Sequence, residues 1–442
     1  MTCWKLFGTC CLAGLLAASA PLATAAQPVA DSLLLTLDDV LARGVANSVL
    51  LQTDAKEEQA AAEQRRTARM ERLPDVEVSL SGGAIGQPVV FSRGLAHPTR
   101  PDTPDWSQHY GIDASQPLYQ GGRVRGAVRG ADLAYKAAQL RTLDHTATVK
   151  LDLVSRYVDL FRLYKQIAVL ERNIEEAERR LADIRRLRRE GIVTNNDVLR
   201  SELQLTNDRL ALDETRNSLS LAAQQLDILL GLDERTVLIP DTALLNRTLP
   251  LDDYEDYVAE AFVAEPSLRL ARKQTEMAHN DVELARANYR PTLSLTVGNT
   301  LARPVQRTMA DLYNNTWNVG LNFSYPLSAL YKNRSRVRAA RASEDASRKR
   351  EEQREQDLRV EIRAAYLRHH EARKRVEALR LSVEQANENY RIVQNRYFAQ
   401  LAILTDLLDA NAVRLEAELQ LTSARADVIY TYYQLQRACG RL

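Results

Sequence analysis

Asp406 and Asp409 stand three positions apart, so on a helix their carboxylates share one face. Acids placed this way can form part of a cation-selecting ring, or they can favour the positive start of a helix. Groups for covalent or metal chemistry are dispersed. The six histidines, His97, His109, His145, His279, His369 and His370, form no His-Glu-x-x-His motif. There is no P-loop and no Cys-x-x-Cys. His369-His370-Glu371 lies among charges and reads as a solvated face. Four methionines, one of them Met1, give no support to a methionine-lined metal path. No enzyme, cofactor or metal site is expected.

The elements that position the two aspartates are long. Leu118 to Ile239 contains no proline, and Gly191 is the only glycine between Gly130 and Gly231. Read as helix, Gly122 to Glu190 is about 69 residues, or roughly 100 Å. That is over three times the ~30 Å hydrocarbon thickness of a bilayer. Seven charges between Glu171 and Arg180 keep it out of lipid. The rod turns back at Glu190–Asp197, and a second rod runs from Val198 to Leu230. Leu153, Tyr157, Leu160, Tyr164, Ile167, Ile174 and Leu181 follow alternating steps of four and three, with Glu171 and Glu178 on the missing beats. This is a coiled-coil-like packing seam.

The chain has 442 residues and a formal charge of +1, which excludes a nucleic-acid footprint. Lys5, the apolar Leu6–Leu22 and Ala23-Thr24-Ala25 read as a signal peptide over residues 1–25. Cys3, Cys10 and Cys11 leave with it, so Cys439 has no disulfide partner. Beyond it no apolar run is long enough for a transmembrane helix.

After the signal, a helix is expected from about Thr36 to Leu73, ended by Pro74. Strands follow at about 75–82 and 110–116, separated by a loop, and then the helical hairpin 120–231. Residues 232–250 form a proline-bounded connector. The plan then recurs over 251–442: a helix to Tyr289, strands at about 292–298 and 317–325, and a hairpin over 328–440. Landmarks recur at a near-constant spacing. Pro74 is answered by Pro291, Pro117 by Pro326, Asp197 by Asp406 and Gly231 by Gly440. The last three pairs share one numbering offset, and the first differs from it only by the length of the strand–strand loop. The duplication therefore spans the chain, 26–231 against 251–442.

The strands alternate. Val76, Val78, Leu80, Ile112, Leu293, Leu295, Val319, Leu321 and Phe323 mark one face, and Glu77, Ser79, Asp113, Ser294, Thr296, Asn318 and Asn322 the other. An apolar outside around a polar inside marks a membrane barrel, although a half-buried soluble sheet alternates too. Four strands cannot close, and lipid does not tolerate open edges. Two copies give eight strands, whose interior is filled by side chains, and three copies give twelve and leave a lumen. The pattern thus favours a mostly α-helical homotrimer: a small 12-stranded membrane β-barrel above a tube built from the helical rods, in an exported chain that is periplasmic, secreted or in the outer membrane. Trp106, Tyr110, Tyr313 and Trp317 lie at the loop ends of the strands, where an aromatic girdle is expected.

The duplicated plan, the segment Gln116-Pro117-Leu118-Tyr119-Gln120-Gly121-Gly122-Arg123 and the two tip segments together resemble the TolC-like outer-membrane efflux proteins. The second copy, Tyr325-Pro326-Leu327, lacks the paired glycines. The resemblance implies a homotrimeric channel-tunnel with its helical part in the periplasm. It implies that the connector joins a mixed equatorial belt. It implies docking on a periplasmic adaptor (membrane fusion) protein and an inner-membrane pump of RND, ABC or MFS type. It places Gly191, Ile192, Asp197, Gln400 and Leu401 at the tip turns that meet the adaptor. It makes Asp406 and Asp409 the acids of the periplasmic aperture. A tip arginine common in the family is Ala402 here, which leaves Asp197 and Tyr397 as the expected closure link. The alternative is a periplasmic coiled-coil adaptor or scaffold without a membrane barrel.

Overall fold

The computed structural model describes residues 32–101, 104–242, 250–303 and 311–442. The expected signal peptide lies outside the described residues, as do 243–249 of the connector and 304–310 of the second strand–strand loop. The first half contains β1 (Ser32–Leu35), α1 (Leu37–Asn47), α2 (Val49–Met70), β2 (Asp75–Ala84), β3 (Val90–Arg93), β4 (Ala96–Thr99), β5 (Trp106–Gln120), α3 (Arg123–Arg189) and α4 (Asn195–Leu230). The second contains β6 (Val237–Pro240), α5 (Tyr254–Ala264), α6 (Pro266–Ala287), β7 (Thr292–Arg303), β8 (Asn314–Ser324), α7 (Ala329–Phe398) and α8 (Leu404–Ala438).

The rods are as long as their sequence demands. α3 has 67 residues and α7 has 70, about 100 Å each at 1.5 Å per residue. Shorter helices pack alongside: α2, α4, α6 and α8 against α3, and α6 and α8 against α7. Leu153, Tyr157, Leu160, Ile174 and Leu181 of the seam are buried. The two glutamates on its missing beats turn outward and bind α4: Glu171 to Arg216 at 2.8 Å and Glu178 to Arg209 at 2.6 Å.

Each short arm, expected as one helix, is two. Ser48 and Glu265, at matching places in the two halves, are extended, with ψ 114° and 122°. Each caps the helix after it. Ser48 Oγ accepts the Leu51 N–H at 3.4 Å, and Glu265 Oε2 accepts the Leu268 N–H at 2.8 Å. Pro266 excludes Glu265 from the helical region, whereas at Ser48 the cap alone marks the break. The connector is more than the plain linker its prolines suggest: it contributes β6, which pairs in parallel with β1. Tyr157 Oη donates to the Leu35 carbonyl at 3.0 Å and accepts the Asp241 N–H at 3.1 Å, which fixes this small sheet to the middle of α3.

His369 corrects the solvated-face reading. His370 and Glu371 are exposed, but His369 is fully buried between α7 and α8. Its Nδ1 lies 3.1 Å from Thr431 Oγ1. Burial, with the Arg373 charge and His370 beside it, pushes the imidazole down to about 4. A lowered histidine pKa gives stability that is complete above the unfolded value of about 6.5 and is lost as pH falls toward 4. Thermal unfolding of the purified protein at pH 7.5 and 5.0 will show acid destabilisation. His369→Gln will remove a part of it on the order of 2 kcal/mol.

One four-stranded antiparallel sheet runs in the order β2-β5-β7-β8. Its strands, of 10, 15, 12 and 11 residues, are longer than the alternating cores read from sequence. The membrane barrel expected from the sequence needs such length. Seven residues tilted at about 40° rise less than 20 Å, whereas 15 residues rise about 35–40 Å, past the ~25 Å apolar band of a membrane barrel. Pro117 does not end β5. The register shifts between Pro117 and Tyr119, and pairing continues to Gln120. The first strand–strand loop carries its own hairpin, β3 with β4.

Candidate functional site

The rods end in two turns of one geometry. In the first, the Gly191 N–H bonds the Arg188 carbonyl at 3.1 Å and the Ile192 N–H bonds Leu187 at 3.0 Å. In the second, at the matching place in the other half, the Gln400 N–H bonds Tyr397 at 3.0 Å and the Leu401 N–H bonds Arg396 at 2.8 Å. Both are Schellman closures, which need a left-handed residue after the helix. Gly191 meets this with φ +77°, and Gln400 takes φ +63° although it has a side chain. That conformation costs an L-residue about 1–2 kcal/mol. Gln400→Gly will therefore stabilise the turn, by about 0.5–1 kcal/mol after the added freedom of the unfolded chain. Hydrogen exchange at the Gln400 and Leu401 amides measures it.

Asp197 is placed by the start of α4. Its carboxylate accepts the Thr194 N–H at 2.9 Å and the Thr194 hydroxyl at 2.7 Å, while Thr194 Oγ1 caps the Asp197 N–H. The expected Asp197–Tyr397 link is not made. The Tyr397 hydroxyl is buried without a hydrogen-bond partner among the described residues, and burial together with the Asp197 charge pushes the phenol up. Arg200 provides the cross-hairpin bond instead: its Nη1 donates to Thr405 Oγ1 at 2.7 Å. Sequence reading missed this pair because an arginine and a threonine 205 positions apart carry no local pattern.

Asp406, the counterpart of Asp197, holds the same place in α8 and accepts the Ile403 N–H at 3.4 Å. Asp409 stands one turn on, and both are exposed at the surface. The helix-start role read from sequence is thus present for Asp406, on the surface that also presents Asp409. Ile192, Leu199, Leu401 and Ile403 expose apolar side chains around the turns.

Behind the turns, polar side chains tie the hairpins together. Asn173 Nδ2 donates to Asp208 at 3.0 Å, Asn411 Nδ2 donates to Asn173 at 3.1 Å, and Arg180 donates to the Tyr390 hydroxyl at 2.9 Å. These side chains come from α3, α4, α7 and α8. The bonds fix the register of the two hairpins.

At the other end the sheet sorts its side chains by face. Pairing places Val76, Ala114, Val297 and Val319 in one row and Val78, Ile112, Asn299 and Trp317 in the next. This face is uncovered: Val319, Leu321, Phe323 and Trp317 are 60–77% exposed. The opposite face has Glu77, Asp113, Gly298 and Asn318 in a row, which puts two carboxylates side by side. Trp106, Tyr110, Tyr313 and Trp317 are all exposed at the loop end. Tyr119, Tyr325 and Tyr331, also exposed, mark the rod end; the sequence names Tyr119 and Tyr325 only within the strand-to-helix segments, and the aromatics of this end were not expected as a girdle. No helix among the described residues is long and apolar enough to cross a membrane.

The Gly121-Gly122 pair joins sheet to rod. A Cβ at Gly121 would lie 2.6 Å from the Ala287 carbonyl oxygen and 2.8 Å from Arg290 Cβ, so only glycine lets β5 pass the end of α6.

A family model described as "Outer membrane efflux protein" matches residues 41–232 and 258–441. The two matched stretches begin and end at the spacings of the duplication, one stretch to each half. The chain is 23% identical over 376 residues to the outer membrane efflux protein BepC of Brucella suis, covering 84% of this chain and 80% of that protein. It is 23% identical over 341 residues to the outer membrane protein TolC of Vibrio cholerae, covering 75% and 76%. Among solved structures, the outer membrane protein VceC of Vibrio cholerae superposes with a TM-score of 0.77 at 18% identity, covering 91% of this chain and 96% of that one.

Proposed function

The chain belongs to the outer membrane efflux protein family, and on that premise we propose that three copies form the passive exit duct of a tripartite efflux or type I secretion system. The family places the chain in the outer membrane, among channels and not among enzymes. The observation that carries the finer reading is the sheet. It exposes an apolar face and leaves β2 and β8 each with one unpaired edge. β8 runs opposite to β2, so the β8 edge of one copy can pair antiparallel with the β2 edge of the next. Three copies then close a 12-stranded barrel with the apolar rows toward lipid and the Glu77–Asp113 rows toward water. A lone sheet would leave both edges open in lipid, which is not tolerated. A periplasmic scaffold without a barrel gives no reason for such a face.

The long helices of the two halves, α3 with α4 and α7 with α8, supply the helical tunnel, and β6 of the connector contributes to its belt. Trp106, Tyr110, Tyr313 and Trp317 form the aromatic girdle at the loop end. At the tip, Asp406 and Asp409 ring the aperture. The turns around Gly191, Ile192, Gln400 and Leu401 meet a periplasmic adaptor (membrane fusion) protein, with an inner-membrane pump of RND, ABC or MFS type behind it. Cysteines at Ile192 and Leu401 test this: the reading expects crosslinks in cells to the adaptor encoded beside the pump, and none at exposed Val360 on α7. Arg200–Thr405 replaces Asp197–Tyr397 as the polar tie at the tip. Arg200→Ala will raise single-channel conductance in planar bilayers several-fold, and an unchanged conductance contradicts the tie.

A further inference from the structure

At the junction of sheet and rods lies a cavity of about 540 Å³ lined by Arg72, Tyr119, Arg125 and Arg290, with Leu118 and Gln120 beside them. Its lining holds three guanidinium groups and no carboxylate. Arg72 and Arg125 form no ion pair among the described residues, and Arg290 donates to the Gly121 carbonyl at 3.0 Å. Elsewhere on this chain arginines on the rods are commonly paired with acids, as at Arg209–Glu178 and Arg216–Glu171. Three arginines gathered without one form an anion site in search of its anion.

The sheet register fixes which side of the molecule this cavity serves. The irregularity between Pro117 and Tyr119 shifts the alternation of β5 by one residue. Tyr119 therefore pairs with Leu293, which pairs with Phe323, and so it joins the apolar face. Gln116, in the row of Leu295 and Leu321 on that face, donates to the Arg72 carbonyl at 2.9 Å. The acids Glu71 and Asp75 line an adjoining hollow with Ser115 and Ser294 of the polar face, which meets the notch along Pro117, Gln120 and Val124. Exposed Tyr119 shares the row of Phe323, and exposed Tyr325 and Tyr331 follow the end of β8 into the first turn of α7, as interfacial aromatics that meet headgroups would. The cavity is thus an arginine-lined notch at the lipid-facing rim nearest the rods, of a size suited to a whole small-molecule headgroup.

We propose that this notch binds the phosphate of an anionic phospholipid headgroup in the leaflet nearer the rods, one per protomer, and so fixes the depth of the barrel in the membrane. The proposal rests on the reading of the sheet as one third of a membrane barrel. Basic side chains at this depth gain from anionic headgroups, and a guanidinium fork binds phosphate bidentately.

The test uses the purified full-length protein in a non-ionic detergent. Native mass spectrometry is run with dioleoyl phosphatidylglycerol or dioleoyl phosphatidylcholine, and conductance is recorded on the same preparation. The expected result is a conducting trimer that retains up to three phosphatidylglycerols, with at least a tenfold preference over phosphatidylcholine. Arg72→Gln with Arg125→Gln should reduce the preference to within about twofold while the trimer and its conductance remain. Arg341→Gln, an exposed arginine on α7 outside the notch, should leave the preference intact. A conducting trimer with no lipid preference, or with one that survives the double substitution, overturns the proposal alone. Equal displacement by inorganic phosphate in excess shows a generic anion site and overturns the lipid assignment. A protein that forms neither trimer nor conductance removes the barrel reading and this proposal with it.

Discussion

Asp406→Asn combined with Asp409→Asn will abolish the cation preference of the channel while leaving its assembly unchanged. Both carboxylates stand at the surface on the first turns of α8, and the proposed trimer would bring six to the tip. In water a unit charge about 10 Å from an ion acts on it with about 0.4 kcal/mol before screening. Six such charges, reduced about threefold by a Debye length near 8–10 Å, leave roughly 1 kcal/mol, a preference of several-fold for cations. Asparagine keeps an oxygen that can accept the Ile403 N–H, as Asp406 does, so α8 retains its start. Reversal potentials across a salt gradient measure the change. The double variant is expected to approach equal permeability, and Asp409→Asn alone to fall between. An unchanged reversal potential would mean that the two acids serve only the helix start.

The second large effect is set by which face of the sheet meets lipid. Val319 lies at mid-sheet in the row with Val297, Ala114 and Val76. An arginine at the bilayer midplane on the lipid face of a barrel costs about 2–4 kcal/mol, and every trimer would carry three. Val319→Arg is therefore expected to remove the protein from outer-membrane fractions or leave it as unassembled monomer. Thr296→Arg is the matched control. Thr296 occupies the opposite face, beside Ser115 and Gly320, and an arginine there would face water. It should assemble and change conductance. Equal tolerance of both substitutions would contradict the assignment of faces.

What sequence made legible follows from how local each signal is. The rods were visible because absence of proline and glycine over long stretches is a local property. The duplication was visible in the spacing of Pro74, Pro117 and Gly231 from their counterparts, and the same offsets relate the two tip turns bond by bond. Strand faces were legible because alternation fixes parity, but strand ends were not. Ser107, Gln108 and His109 extend β5 through backbone pairing that no side-chain pattern announces. The break at Ser48 was hidden because serine caps helices and also occurs inside them, and Pro266 was the clearer sign at Glu265.

The tip shows the limit most plainly. The places of Gly191, Asp197 and Asp406 were readable, since turn and cap geometry are local. The bonding was not. Asp197 serves Thr194 on its own turn, Tyr397 is buried unpaired among the described residues, and Arg200 reaches Thr405 on the other hairpin. Likewise His369 and His370 are adjacent in sequence and opposite in burial, because the helix phase set by α8 decides which of the two enters the seam.

The central claim is that the chain completes its barrel only with two sister copies. The direct measurement is the mass of the detergent-purified protein, taken with the current it passes in a planar bilayer. The account predicts a trimer that resists dissociation until heated and opens discrete, cation-preferring conductances. A monodisperse monomer that stays soluble without detergent and passes no current would contradict it.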